Sequence, residues 1–381
     1  MPAADFQSSA PFSFATRTIL SFRRDNNSSH PVMDGNHESG MDQRELAAFQ
    51  RQIADLFHDL VDGGEDSDEI LSIAWVRRLL DTFLLCQEEF RVILFSHHRP
   101  PTPQDRLVAD FFERAVKALD VCNAVRDGVE QLRVWRTHLE IVVTALGPQQ
   151  RALGDGQIRR AKKALAEIAV LMLDDKDPGS VASHRNSCTS TSLSSGRSAH
   201  FRSLSWSVSK SWSAAKQLQA IGSNLGAPRG QEALPVYTMS SVLLFVMWAL
   251  VAAIPCQDRG LHIHFSIPRN YVWAAPIMSL HETILEESKK KDRKNSIGLL
   301  KEIHQTEKCV QNLIELLDSN AQLPMTKEKE AEVREAVKEL AQVCDAMKEG
   351  LDPLDRQIRE IFLRIVRSRA EGLDSSLHGA E

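Results

Sequence analysis

The 381 residues are enough to bury a sizeable core, as one large helical domain or two modest ones. Hydrophobic residues make up 43% and charged residues 25%, a folded-protein balance, while aromatics at 6% and scarce β-branched runs favour helices over sheet. A net charge of −5 argues against nucleic acid as a partner, and the 6 cysteines, none in a C-x-x-C pair, argue against a disulfide framework or zinc finger.

Residues 1–40 are rich in Ser, Asn and Gly, and no charged start followed by an apolar core marks a secretory signal. Phe12, Phe14, Ile19, Leu20 and Phe22 mingle there with Arg17, Arg23 and Arg24. A disordered tail is the expectation, with a basic membrane-touching segment as the rival.

Apolar residues then recur at steps of three and four, the mark of one helix face. Leu46, Phe49, Ile53, Leu56 and Leu60 form the first stripe, which ends at the acidic, Gly-bearing stretch 62–68. Ile73, Val76, Leu80, Phe83, Phe90 and Leu94 form the second, closed by prolines 100, 101 and 103. The third and longest runs from Leu107 to Leu146 and stops at Gly147-Pro148; the fourth spans about Gln157 to Leu173. Together these place an N-terminal helical bundle at 41–178.

Residues 179–233 read as a serine-rich linker, too polar to order its own backbone. Ser203 and Ser205 follow Arg202 and are candidate phosphosites, since phosphate there would add negative charge in a basic setting. The C-terminal helical region, 257–381, carries stripes at Leu299–Leu317, Val333–Met347 and Leu354–Ile365. Gly350 is expected to end one helix there, and Asp352-Pro353 to begin another. The fold expected is all-α: a multi-helix bundle of long amphipathic helices, antiparallel and joined by short loops. Gly and Pro interrupt the heptads needed for a parallel coiled-coil dimer.

One helix differs from the rest. No charged side chain occurs between Glu232 and Asp258, and 234–256 centres on an unbroken apolar run. Val236, Leu243, Phe245, Trp248 and Ile254 mark the candidate membrane segment, long enough to cross a layer of about 30 Å. A central helix enclosed by amphipathic neighbours fits the same composition. Flanking charges tie and do not decide between the two placements. The chain is expected to be membrane-associated, single-pass or peripheral, with helical regions at least partly cytosolic. The basic run Lys289, Lys290, Lys291, Arg293 and Lys294 reads either as a solvated helix face paired with Glu286 and Glu287 or as a contact for anionic lipid headgroups.

Common catalytic fingerprints are missing: neither a nucleotide loop nor a zinc-protease or serine-hydrolase motif occurs. His262-Ile263-His264 would supply two imidazoles but suggests no further metal ligand nearby. No catalytic residue, cofactor or metal is expected, and the chain reads as a non-enzymatic protein.

Several stretches together resemble the plant BYPASS-related proteins of the ROH branch. They include Ile19-Leu20-Ser21-Phe22-Arg23-Arg24-Asp25, Leu71-Ser72-Ile73-Ala74-Trp75 and Asp110-Phe111-Phe112-Glu113-Arg114. The most specific runs from Pro235-Val236-Tyr237-Thr238-Met239-Ser240-Ser241 through Ile254-Pro255-Cys256-Gln257-Asp258-Arg259-Gly260. The resemblance implies an interaction protein that binds an exocyst subunit of the Exo-seventy class in polarised secretion. As the alternative, behind that leading reading, it implies a developmental regulator restraining a root-derived mobile signal. It supplies no catalytic residue and no mapped partner site.

Overall fold

A computed structural model describes residues 43–62, 69–95, 104–147, 153–174, 213–228, 230–256, 259–263, 265–293, 296–319 and 325–378. Among them the secondary structure is helical, without strands. The tail 1–40, Ser203, Ser205 and Lys294 lie outside the described residues.

The helices follow the apolar stripes. α1 (Gln43–Val61) buries Leu46, Phe49, Ile53, Phe57 and Leu60. α2 (Ile73–Phe95) buries Trp75, Leu79, Leu80 and Phe83, all with no exposed surface. α3 (Gln104–Leu146) is the long strut of the body, and α4 (Asp155–Asp174) turns back along it. Lying inside the stretch read as linker, α5 (Ala214–Gly222) starts where the Ser213 side chain accepts from the Lys216 amide at 3.1 Å.

After a single 3-10 turn, α6 (Leu234–Ala253) begins with Pro235 in its first turn, where a missing amide costs nothing. α7 (Ala274–Lys289) and α8 (Lys301–Asp318) follow. α9 (Lys327–His378) opens where the Thr326 hydroxyl accepts from the Lys329 amide.

α9 corrects one expectation, because it runs unbroken through Gly350 and Pro353. Gly350 serves a helix crossing: a Cβ there would lie 2.6 Å from the Ile73 Cγ2. Asp352, read as a cap, instead accepts from the Arg133 guanidinium at 2.8 Å. Asp355, one turn on, is buried and accepts from Arg126 at 3.0 Å. These contacts to α3 tether the helix on either side of the proline, so the one amide lost there does not end it.

The described residues all belong to one compact unit. α6 is its axis and packs on α1, α2, α3, α5 and α7. α9 closes the body against α2, α3 and α8. Helices from both sides of α6 in the sequence therefore share one core with it.

Candidate interaction surfaces

Within the specific stretch 235–260, residues 235–254 form a buried rod with a tied end. Every residue from Pro235 to Ala253 is buried. Leu243, Phe245, Trp248 and Ile254 have no exposed surface, and Val236 keeps 7%. Phe245 sits edge-on to Phe57 of α1 and to Phe265, with ring centroids 5.9 and 6.0 Å apart. Of the two placements open to this segment, the structure has the enclosed one. α6 is also the single helix among the described residues long and apolar enough to cross a membrane. That property belongs to core helices and spans alike.

Two of the buried hydroxyls at the start of α6, those of Thr238 and Ser241, are answered locally. Gln50 donates to the Thr238 hydroxyl at 2.9 Å and accepts from the Trp273 indole at 2.7 Å, joining α1, α6 and the approach to α7. Ser241 donates to the Tyr237 carbonyl one turn back. A buried polar group left unpaired would cost about 1–3 kcal/mol, so this small network fixes the register of α6 against α1.

The other end explains Arg259 and Gly260. The Arg259 guanidinium donates to the Ala252 carbonyl at 3.4 Å and to the Ser296 carbonyl at 2.6 Å. It places positive charge at the negative end of α6. The amides of Leu299 and Leu300 donate to the Ala252 and Ala253 carbonyls at 3.0 and 3.1 Å, satisfying helix-end acceptors from the loop before α8. Gly260 turns the chain away with φ of +61°, a conformation that disfavours side chains.

The basic run occupies the end of α7 and the turn beyond it. Lys289, Lys290 and Lys291 are exposed, whereas Arg293 turns in and donates to the Leu299 carbonyl at 2.7 Å. Lys290 pairs with Glu287, and Asp292 lies 3.2 Å from His304. The run is thus a turn with three outward lysines, not one continuous helix face.

A cleft of about 650 Å³ opens between α5, α6 and residues 262–263 and 265–267, lined by Lys216, Gln219, Leu244, His262 and Phe265 among others. It was not legible in the sequence, because α5 was hidden in a serine-rich stretch. His262 is exposed at this cleft, and His264 lies outside the described residues. No cluster of metal-ligating side chains occurs among the described residues.

Burial raises the cysteine thiols: Cys122 and Cys256 to about 12, Cys344 to about 11, and Cys86 also upward. These are packing thiols rather than thiolates.

The family described as protein ROH1-like matches residues 1–376. Protein ROH1D of Arabidopsis thaliana is 52% identical over 406 aligned positions, covering 100% of both chains. Protein ROH1A of the same plant is 40% identical over 385 positions, covering 90% of this chain and 92% of the relative. No solved structure matches the chain. On this full-length likeness, with its tied apolar rod, the chain belongs to the ROH1-like family.

Proposed function

We propose that this protein is a non-enzymatic interaction protein that binds an exocyst subunit of the Exo-seventy class and so modulates polarised secretion. The observation that carries this reading is the family match from residue 1 to residue 376, including the stretches on which the ROH resemblance rests. The packing thiols agree with it, since a thiol held near 12 supplies little nucleophile at neutral pH. So does the architecture: long helices turn one stripe inward and leave their outer faces available to another protein.

Membrane contact, in this reading, is peripheral and runs through Lys289, Lys290 and Lys291. The burial of α6 supports that choice. Pulling α6 into a bilayer would leave the apolar faces of its neighbours in water, at a cost on the order of 20 kcal/mol. Folded domains are stable by only about 5–15 kcal/mol.

A two-component pull-down tests the partner. Purified full-length chain and a purified exocyst subunit of this class are expected to co-elute at equal stoichiometry. Separate elution at micromolar concentrations overturns the reading.

A further inference from the structure

Over its last turns α9 carries two stripes. Leu354, Ile358, Ile361 and Ile365 are buried against the body. On the other side Arg356, Arg359, Leu363, Val366 and Ala370 are all exposed. Leu363 keeps 58% and Val366 43% of its surface, among the most exposed large apolar side chains described. Their spacing alternates three and four, the repeat of a coiled-coil seam, yet among the described residues no other helix covers them.

We propose that this stripe docks the same stripe of a second copy of the chain, running antiparallel. The sequence of the stripe is self-complementary in that orientation. Setting Leu363 against Val366 of the copy makes the reciprocal Val366–Leu363 layer by two-fold symmetry. The next layers set Arg359 against Ala370, whose small side chain leaves room for the aliphatic stem of the arginine. Flanking the seam, Glu360 then stands beside Arg367 of the copy, and the symmetry makes this pair twice. Both side chains are exposed, and among the described residues Glu360 has a long 3.5 Å contact to Arg364 within its own helix.

A parallel arrangement fails the same test. It would stack Arg356 on Arg356 and Arg359 on Arg359. Like charges across an interface oppose association, so the charges select the antiparallel pair. The seam is short, which makes the dimer weak and sensitive to dilution, with a dissociation constant in roughly the micromolar range.

Sedimentation velocity on the full chain, from about 1 to 100 µM, reads this directly. The unsubstituted chain is expected to shift from monomer to dimer across that range. Glu360→Arg and Arg367→Glu each place like charges face to face, and each should raise the dissociation constant about tenfold or more. An equimolar mixture of these two variants sets opposite charges together at both positions, and should dimerise better than either alone. Leu363→Ser, also at an exposed position, should weaken the dimer without altering the thermal melt of the monomer. A chain monomeric at all concentrations, or single variants that associate like the original, would overturn the proposal. So would a mixture no tighter than its components.

Discussion

A Cβ placed on Gly128 would lie 2.3 Å from the carbonyl oxygen of Pro255, so α3 meets the tied end of α6 backbone to backbone. The neighbouring obstacle is the Ile254 side chain at 2.7 Å, itself fully buried. Neither group has room to retreat. Helix propensity favours alanine over glycine by about 1 kcal/mol, but forcing extra volume into a packed core costs about 1–3 kcal/mol. Gly128→Ala is therefore expected to lower stability despite its better helix propensity. Urea unfolding followed by circular dichroism checks the sign; a higher midpoint would show that α3 and Pro255 are not in contact.

Arg259 is expected to be irreplaceable by lysine. Its two amino groups reach the Ala252 and Ser296 carbonyls together, a fork that a single ammonium does not reproduce. Arg259→Lys should cost about 1–2 kcal/mol, and Arg259→Ala somewhat more, as hydrogen bonds to a charged donor are lost. Equal melting temperatures for Arg259→Lys and the parent chain would remove this account of the motif.

Glu302 carries a pH signature. Both its carboxylate oxygens accept from the Ile73 amide, at 3.1 and 3.2 Å, capping α2 from α8. Burial raises its pKa above the usual 4.5, more than that amide bond lowers it. The folded state thus holds the proton more tightly than the unfolded chain. Its stabilising contribution is full below about pH 4.5 and is lost as pH rises through the folded pKa. Glu302→Gln keeps an acceptor for Ile73 without the buried charge, so it should remove this slope and cost little at pH 7. Glu302→Ala should cost about 1–3 kcal/mol by orphaning the amide. Stability curves from pH 4 to 8 for the three chains separate these outcomes.

The exposed lysines predict salt-sensitive lipid binding. With about 1 kcal/mol for each basic residue near an anionic surface, replacing Lys289, Lys290 and Lys291 by Gln should weaken binding to phosphatidylserine vesicles roughly a hundredfold. Co-sedimentation at low and physiological salt measures it. Undiminished binding of the triple variant would place the contact elsewhere.

Much of this fold was readable from spacing alone, because the amphipathic helices around α6 each turn one stripe inward. Leu46 to Leu60 and Ile73 to Phe90 sit inward as their steps of three and four require. The break expected at Gly350 and Pro353 did not occur, since punctuation residues report backbone cost but not the tertiary contacts that offset it. Ile73 needs the glycine, and Arg126 and Arg133 hold the turns beside the proline. α5 was missed because nine residues give too short a stripe, and serines surround it.

The placement of α6 lay beyond composition for a different reason. A rod apolar on every side satisfies lipid and protein equally, and only the apolar faces of α1, α2, α3, α5 and α7 around it distinguish them. The Arg259 tie was likewise hidden, because its acceptors, Ala252 and Ser296, are backbone carbonyls that leave no side-chain signature.

That enclosed rod is the centre of the account, and alkaline carbonate extraction tests it most directly when combined with protease protection of tags at both ends. The account predicts release of the chain into the supernatant, with both tags cleaved in parallel in intact membranes. A chain retained in the pellet with one tag protected would contradict it.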